Sequence, residues 1–354
     1  MAVLGVSWVV AGHDGATTAA CGCGTTEPIQ VQTSPGPTLD TLDGNGVGAH
    51  DPSMAKEGRT YYMFCTGPGI SVRSSTNRVD WEPPKRIFEH SLPWTATTIP
   101  GFRDFYWAPD ISFFNHKWHL YYAVSTFGRN RSAIGLATNL TLDPKRPDYK
   151  WVDEGPAFQS YPSDNYNAID PNIAFDEHGK PWLAFGSFWS GIKILPIDAA
   201  TGKPEKPDVV PTGIASRPRP GAIEAPFIVR HGRFFYLFTS FDFCCRGVNS
   251  TYNIRVGRSA SIAGPYVDRD GKPLMESGGT LVLGTVGRWH GPGGNSVMRD
   301  GRKDLIVYHA YDANANGAPR LRIEPIDWDK EGWPHVPSAT ASPSAVVLPK
   351  PYYG

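Results

Sequence analysis

The chain has 354 residues, and its 34 basic and 34 acidic side chains give a formal net charge of zero. This balance offers no electrostatic basis for binding nucleic acid or an anionic membrane surface. The sequence holds 38 Gly, 33 Pro and many aromatic residues, a combination typical of a β-rich protein with frequent turns. We therefore expect no nucleic-acid partner and no membrane span.

Residues 1–37 are small, polar and rich in Pro and Gly, and we expect them to form an N-terminal tail. An apolar stretch at residues 2–12 is too short to span a membrane and has no Lys or Arg before it. Two interpretations stay open, a degenerate export signal and a plain tail.

The five cysteines form neither a dense disulfide framework nor a zinc-site spacing. Cys244 and Cys245 are adjacent, and neighbouring Cα atoms are about 3.8 Å apart, which is shorter than the usual disulfide range. A local disulfide and two free thiols are both compatible with this spacing.

An Asp between a His and a Pro, at residues 50–53, precedes the first strand-like run. Because Pro52 has no N–H and a fixed φ, this point predicts a strand entrance or a rigid loop. An acidic residue one or two positions before a proline recurs at residues 168–172 and 223–227, each time followed by another strand-like run. These three places indicate a repeat that brings together Asp51, Asp170 and Glu224.

The repeat has five copies, each with a proline, a short apolar strand, a polar turn and an aromatic strand. The anchoring prolines are Pro52, Pro109, Pro171, Pro226 and Pro292. Five copies of three or four strands predict an all-β fold, a five-bladed β-propeller that occupies residues 38–354 as one domain. No segment between copies has a sustained helical period, which argues against a βαβ fold.

The innermost strands of a propeller line its central channel, so equivalent positions of different blades converge there. Treating the three acidic positions as equivalent places Asp51, Asp170 and Glu224 around one axis. The corresponding positions of the other two copies, Asp110 and Gly291, do not complete the pattern, and we interpret Asp110 as structural.

Three carboxylates in one partly buried pocket cannot all be ordinary ionised acids, since like charges and burial raise at least one pKa. Glycoside hydrolysis needs such a proton donor together with one ionised carboxylate. A single Asp-Pro or Glu-x-Pro is most often a turn or a strand cap. Three such acidic positions in a repeat favour a catalytic site.

Ordered motifs over about 300 residues carry a more specific signal; they lie at residues 50–53, 106–110, 167–171, 186–191, 223–226, 243–247, 290–293 and 308–311. With these motifs the chain resembles glycoside hydrolase family 43, and within it the arabinanases that cut α-1,5-linked L-arabinan. The resemblance implies a five-bladed propeller and a substrate of plant cell-wall arabinan or arabino-oligosaccharides.

The resemblance also implies an inverting mechanism. Asp51 would be the general base that activates water, Glu224 the general acid, and Asp170 the residue that tunes the pKa of Glu224. Inversion requires the base and the acid to be about 6.5–9.5 Å apart, which leaves room for the water.

Further residues would contact the sugar by the same resemblance: His50, Trp107, Gly128, Asn167, Ala168, Ile169, Ser187, Phe188 and Trp189. Trp107 offers a flat face for stacking. Gly128 would let substrate approach the backbone, although an ordinary turn glycine explains it equally well.

The matching His309 would ligate one ion on the propeller axis, for which calcium is expected. Calcium normally prefers oxygen ligands, so a single imidazole with waters would be a weak site. The chain has Gly294 where the family pattern leads us to expect a bulkier residue, often His, and this departure leaves the hydrogen bonding near the axis open.

Two other functions compete with an endo-acting arabinanase. One is an exo-acting α-L-arabinofuranosidase or β-xylosidase of the same family, with the same catalytic residues but a blind pocket. The other is a propeller that binds glycans without cutting them, which would not need all three acids. We expect a monomer that acts outside the cytoplasm, in an extracellular or periplasmic location, since a polysaccharide must be met there.

Asp51→Ala is expected to lower kcat on arabinan by at least about a hundredfold, because the attacking water loses its base. The propeller should stay folded, with an unfolding temperature close to that of the parent protein. Reducing-end release together with thermal unfolding tests this, and a folded variant with unchanged turnover would remove Asp51 from the mechanism.

Overall fold

The computed structural model describes residues 46–206 and 208–337, and they form five antiparallel sheets. The expected tail, residues 1–37, lies outside the described residues, as do residues 38–45, 207 and 338–354 of the expected domain. No helix in the described ranges is both long and apolar enough to cross a membrane.

Each sheet comes from one continuous segment of chain, apart from one short strand, and is named here as a blade. Blade 1 contains Ser53–Glu57, Thr60–Cys65, Ser71–Ser75 and Lys85–Arg86. Blade 2 contains Phe105–Phe114, Lys117–Val124, Ser132–Asn139 and Val152–Ser160, with Gly67–Pro68 added beside the first of them. Blade 3 contains Asn172–Phe175, Pro181–Phe185 and Ile192–Asp198, and the last of these pairs with both Lys203–Pro204 and Thr212–Ala215.

The remaining two blades follow the same plan. Blade 4 contains Ile223–His231, Phe234–Phe241, Asn253–Ser259 and Thr280–Leu283. Blade 5 contains Trp289–Asp300, Lys303–Asp312, Ala318–Trp328 and Pro334–His335. Within residues 46–206 and 208–337 the helical segments are short: the α-helix Pro93–Thr98 and the 3-10 helices Gly247–Asn249, Leu274–Glu276 and Ala313–Ala315.

The first strand of each blade is the inner strand, and the five inner strands contact one another in chain order, with that of blade 5 meeting that of blade 1. This closed ring confirms the predicted all-β, five-bladed propeller. The segment before blade 1 also contacts blade 5, since the Leu321 N–H donates to the carbonyl of Val47 at 2.7 Å. The first and last blades are therefore joined by backbone hydrogen bonds.

The hydrophobic core is divided into five clusters, one at each interface between neighbouring blades. Between blades 1 and 2, Phe64, Tyr106 and Tyr122 are all fully buried. Burying one such side chain contributes about 1.5–3 kcal/mol. Because every cluster draws on two blades, the ring is stabilised around its whole circumference.

The backbone turns sharply at the start of each inner strand, where one residue has a left-handed conformation. These residues are Asp51, Ala108, Asp170, Ala225 and Gly294, with φ of 48°, 41°, 56°, 51° and 57°. A residue with a side chain rarely adopts this conformation, at a cost of about 1–2 kcal/mol. Five equivalent turns therefore aim five short backbone segments at the axis.

The left-handed turns correct the alignment of the acidic residues. Asp51 and Asp170 occupy the turn position itself, whereas in blade 4 that position is Ala225 and Glu224 comes one residue earlier. The predicted equivalence of all three acids was therefore wrong for Glu224. Its backbone position corresponds instead to those of His50 and Trp107.

The anchor predicted for blade 5 was also wrong. The equivalent of the anchoring prolines is Asn295, which follows the left-handed Gly294, and Pro292 lies three residues earlier. The turn depends on the left-handed residue and does not need a proline after it, so a search for prolines misplaces this copy.

Asp110 joins blades 2 and 3. Its carboxylate accepts the backbone N–H of Ile173 at 3.0 Å and the side-chain amide of Asn172 at 3.2 Å. Removing this buried carboxylate would leave the two N–H donors without an acceptor, at a cost of about 1–3 kcal/mol each. These contacts agree with the structural role predicted for Asp110.

Candidate active site

The five left-handed turns surround a small axial cavity of about 30 Å³. Asp51 and Asp170 line it, together with Asp110 and Asn295. We call the end of the ring at which the inner strands begin the upper face. Because the strands of each blade are antiparallel, the second strands end at this face, and the loops that follow them lie over the axis.

Asp51 is held by three hydrogen bonds, two that its carboxylate accepts and one that its backbone N–H donates. Its Oδ2 accepts the Thr66 hydroxyl at 2.6 Å and Nδ1 of His50 at 2.8 Å, while its backbone N–H donates to Nδ1 of His309 at 3.1 Å. Burial acts to raise the pKa of Asp51, but the charge of His50 and the two hydrogen bonds outweigh it and hold the pKa well below its usual range. Asp51 is therefore ionised at neutral pH.

His50 lies between Asp51 and Tyr311. Its Nε2 is 3.1 Å from the hydroxyl of Tyr311, and its ring stacks on His309 with 3.9 Å between centroids. Burial opposes the charged form of the ring, yet the neighbouring Asp51 raises the pKa of His50. His50 thus contacts the predicted base directly.

Glu224 is buried, with 9% of its surface exposed, and both of its oxygens accept hydroxyl groups. The Ser187 hydroxyl donates to Oε2 at 2.6 Å, and the Tyr252 hydroxyl donates to Oε1. Burial raises the pKa of Glu224 to about 7, while the hydrogen bond from Ser187 acts in the opposite direction. Glu224 can therefore carry a proton near neutral pH.

Asp170 accepts the backbone N–H of Ala225 at 3.1 Å and so contacts the residue next to Glu224. Burial raises the pKa of Asp170 well above its ordinary value, and the negative charges of Glu224 and Asp51 raise it further. The three predicted acids thus interact electrostatically around one axis. Asp51 differs from the other two because only it has an imidazole beside it.

Two adjacent glycines of blade 5 make room for this arrangement. A Cβ on Gly293 would overlap the ring of Tyr252, and a Cβ on Gly294 would overlap Oδ1 of Asp51 and press on the His309 ring. Gly294, where a bulkier residue was expected, therefore gives Asp51 and His309 the space they occupy.

His309 is fully buried beside Asp51, and burial lowers its pKa to about 3, so the ring is neutral. His50, Asp51 and His309 offer ligand atoms within 4.8 Å of one another. Nε2 of His309 is buried without a hydrogen-bond partner among the described residues. Because Nδ1 accepts the N–H of Asp51, Nε2 carries the ring proton and has no lone pair for a metal. The fit to a cation therefore rests on the close cluster of His50, Asp51 and His309, whose donor set is poor in the oxygen atoms that calcium prefers.

The loop after the second strand of blade 3 carries three of the predicted substrate contacts. Ser187 is buried against Glu224, Phe188 is half-buried, and Trp189 has 41% of its surface exposed. Phe188 and Trp189 both have positive φ, and the Phe188 N–H donates to the Ile223 carbonyl at 2.9 Å. This hydrogen-bonded loop exposes the indole ring of Trp189 at the upper face of the propeller.

The residues before Asp170 are buried instead of lining an open groove. Asn167 accepts the Ser132 hydroxyl at 2.6 Å, and the Ala168 N–H donates to the Ser160 hydroxyl at 2.9 Å. Ala168 has no exposed surface and Ile169 has 7%. The side chain of Ala168 therefore offers no surface to a sugar, and the contacts predicted for this segment have no support beyond the backbone.

Trp107 is half-buried at the blade 2 position equivalent to that of Glu224. Gly128 has φ of 74° and nothing within 4 Å of the place where a Cβ would lie. The positive φ of Gly128, and not close packing, accounts for a glycine here. This agrees with the alternative interpretation of Gly128 as an ordinary turn glycine.

Sequence reasoning missed Thr66, Tyr252 and Tyr311 as site residues. Thr66 could have been found from the sequence, because it is a polar residue directly after the second strand of its blade. Ser187 lies in nearly the same place, two residues after the second strand of blade 3. Tyr252 and Tyr311 have none, since each is an aromatic residue beside or within a strand and resembles many core residues of this chain. The structure also settles the open question about Cys244 and Cys245, which form a disulfide.

Residues 46–334 match the model of the family described as Glycosyl hydrolases family 43. The chain is 46% identical over 294 residues to "Extracellular endo-alpha-(1->5)-L-arabinanase 1" of Bacillus subtilis, with 80% of this chain and 86% of the relative covered. It is 43% identical over 302 residues to the "Extracellular exo-alpha-(1->5)-L-arabinofuranosidase ArbA" of Cellvibrio japonicus, with coverage of 82% and 86%.

Solved structures give the same result. A Cellvibrio cellulosa alpha-L-arabinanase complexed with arabinohexaose superposes with a TM-score of 0.79 at 43% identity, over 82% of this chain and 95% of that one. A family 43 endo-arabinanase from Bacillus licheniformis has a TM-score of 0.77 at 45% identity, over 82% and 98%. With the matched residues spanning all five blades, the chain belongs to glycosyl hydrolase family 43.

Proposed function

We propose that the protein is an endo-acting α-1,5-L-arabinanase that hydrolyses its substrate with inversion. The observation that carries this proposal is the pairing, at one axis, of an ionised Asp51 with a buried Glu224 whose pKa is raised to about 7. Glycoside hydrolysis requires these two protonation states at the same pH, and inversion follows from membership of family 43. The relatives named as arabinanases supply the substrate class.

In this mechanism Asp51 removes a proton from a water molecule, which attacks the anomeric carbon, and Glu224 donates its proton to the departing oxygen. Thr66 and His50 keep Asp51 ionised and fix its orientation. Ser187 and Tyr252 hold both oxygens of Glu224. Each catalytic carboxylate thus has its own pair of positioning hydrogen bonds.

Asp170 would assist Glu224 in two ways. Its own pKa is raised by burial and by the nearby charges, so it shares with Glu224 a strong tendency to stay protonated. Its hydrogen bond to the N–H of Ala225 also ties blade 3 to the backbone next to Glu224. This supports the predicted role of Asp170 as a residue that tunes and positions the acid.

Exposed aromatic side chains support binding of a sugar chain at the upper face. Phe127, Tyr161 and Trp189 have 85%, 54% and 41% of their surfaces exposed, and all three lie in loops at this face. Large exposed rings are costly in water but suit the apolar C–H faces of sugars. Several such rings around one axis favour a long substrate over a single sugar.

The proposal includes one bound cation, calcium, held by His309 next to Asp51. When bound, such an ion would supply positive charge near the axis and favour the ionised form of Asp51. The close cluster of ligand atoms from His50, Asp51 and His309 supports the site, and the scarcity of oxygen donors predicts that protein groups alone would bind the ion weakly.

We propose further that the substrate is plant cell-wall arabinan or its oligosaccharides and that the protein acts outside the cytoplasm as a monomer. Two relatives are named as extracellular enzymes, and one structural relative was solved with arabinohexaose. The formal charge of zero suits a neutral polysaccharide.

Exo-acting hydrolysis is the second candidate function, because one relative at 43% identity is named as an exo-acting arabinofuranosidase. The products formed from debranched arabinan at early times distinguish the two. We expect a mixture of arabino-oligosaccharides of several lengths, separated by anion-exchange chromatography. Release of arabinose alone from the first time point would contradict endo action.

Glu224→Ala serves as the control in the same assay, with an expected loss of about 10²–10⁴ in rate if Glu224 is the acid. Unchanged hydrolysis by a folded Glu224→Ala variant would remove Glu224 from its role. Binding of arabinan by the parent protein without any cleavage would favour the non-catalytic binding propeller.

The dependence of kcat/KM on pH follows from the two carboxylates. Glu224 must be protonated, so kcat/KM should fall as the pH rises above about 7.

Ser187→Ala removes a hydroxyl that stabilises the ionised form of Glu224, so the pKa of Glu224 should rise and the alkaline limb of the pH profile should move to higher pH. Ser190→Ala, a change in the same loop without this contact, should leave the limb in place. An alkaline limb that does not move in Ser187→Ala would contradict the assignment.

A further inference from the structure

The disulfide-bonded turn of blade 4 is connected by hydrogen bonds to the catalytic axis. The backbone N–H of Cys245 donates to the hydroxyl oxygen of Tyr311 at 2.8 Å. That hydroxyl lies 3.1 Å from Nε2 of His50, and Nδ1 of His50 lies 2.8 Å from Oδ2 of Asp51. Three contacts therefore lead from the turn to the predicted base.

The donor and acceptor roles along this chain are set by its ends. A carboxylate oxygen can only accept, so Nδ1 of His50 carries the proton that bonds to Asp51. When the ring is neutral, Nε2 accepts the hydroxyl proton of Tyr311; when the ring is charged, Nε2 donates to the oxygen of Tyr311 instead. In both states the oxygen of Tyr311 has a lone pair for the N–H of Cys245.

The chain of contacts crosses three blades. Cys245 belongs to the loop after the second strand of blade 4, Tyr311 belongs to the second strand of blade 5, and Asp51 begins blade 1. Within blade 1, Asp51 is bonded by Thr66 and by its neighbour His50. The orientation of His50 depends on groups from other blades: the Tyr311 hydroxyl, the stacked His309 ring, and Sγ of Cys245, which lies 3.8 Å from Nε2. The disulfide-bonded turn is thus one of the groups that set the orientation of His50.

The turn is itself held in one place. Cys245 has φ of 66°, an uncommon conformation for a residue with a side chain, and the disulfide to Cys244 closes a small ring around their peptide bond. The Arg246 N–H donates to the Ser250 hydroxyl at 3.0 Å, and the Thr251 N–H donates to the Phe243 carbonyl at 2.9 Å. The loop on both sides of the disulfide is therefore hydrogen-bonded.

We propose that the Cys244–Cys245 disulfide turn positions the base Asp51, acting through Tyr311 and His50. This inference rests on the proposed function, since it concerns the residue that activates water. The disulfide restricts the peptide between the two cysteines, which keeps the N–H of Cys245 aimed at Tyr311. Opening the disulfide lets that N–H move away from Tyr311. Tyr311 and His50 are then no longer held in the orientation that positions Asp51.

Reduction of the intact protein tests the role of the disulfide. A water-soluble phosphine converts the disulfide into two thiols while the phosphine takes an oxygen from water and becomes its oxide. Cys245 is exposed, so the reagent can reach it, whereas Cys65 is buried. Mass spectrometry after alkylation establishes that both cysteines have been released.

The reduced protein should show a kcat on debranched arabinan lower by about tenfold or more, because a displacement of about 1 Å at a reacting group costs up to about a hundredfold. KM should be unchanged, since the turn acts on the base and not on substrate affinity. The double variant Cys244→Ala/Cys245→Ala should have the same low kcat and should not respond to the phosphine.

Tyr311→Phe tests the middle of the chain without touching the disulfide. It should lower kcat to a similar extent with KM unchanged, and reduction should add little to this loss. Tyr308→Phe is the matched control, because Tyr308 is a buried tyrosine on the same strand whose hydroxyl bonds to Glu324 at 2.6 Å. It should lower the unfolding temperature but leave kcat unchanged.

A fully reduced, folded protein with the kcat of the oxidised protein would overturn the proposal. A rise in KM at constant kcat would also overturn it, because the turn would then be a substrate-binding surface. These results are separate from failure of the proposed function, which would appear as an oxidised parent protein that does not cleave arabinan or as a fully active Asp51→Ala variant.

Discussion

The left-handed turn at the start of each inner strand is the constraint on which the site depends. Four of the five turns are made by residues with a side chain, two of them alanines, for which this conformation is costly. The ring of interblade clusters supplies the stability that holds these turns. As a result, Asp51 and Asp170 reach the axis from rigid backbone instead of from mobile loops, and a change to the propeller core would be felt at the catalytic carboxylates.

Carboxylates that share one axis differ in protonation because their partners differ. Asp51 has the imidazole of His50 and a hydroxyl beside it, which overcome the effect of burial on its pKa. Glu224 has only neutral hydroxyl groups, and burial raises its pKa to about 7. Opposite protonation states therefore arise within one pocket, which is the condition for acid and base catalysis by two similar residues. The two blade 5 glycines matter because they allow these partners to approach so closely.

The repeat and its prolines were enough to predict the propeller, the blade number and the meeting of the three acids. The prolines also contained the offset of Glu224, which lies two residues before Pro226 while Asp51 and Asp170 lie one residue before theirs; treating the three acids as equivalent overlooked it. The blade 5 anchor was misplaced for another reason, because the left-handed residue there is followed by Asn295 and not by a proline. The partners Tyr252 and Tyr311 could not be predicted, since their hydroxyl groups reach the site only through contacts between blades. The short distances around Gly293 and Gly294 are likewise visible only once blades 1, 4 and 5 are assembled.

The central claim is that Asp51 activates a water molecule on the face opposite to the proton donor Glu224. Proton NMR of the anomeric signals during hydrolysis of an α-1,5-linked arabino-oligosaccharide tests this directly, provided that spectra are taken before the product mutarotates. The account predicts that the new reducing end appears first as the β-anomer, because a single attack by water inverts the α-linkage. First appearance of the α-anomer would mean a covalent intermediate on a carboxylate and would contradict the role given to Asp51.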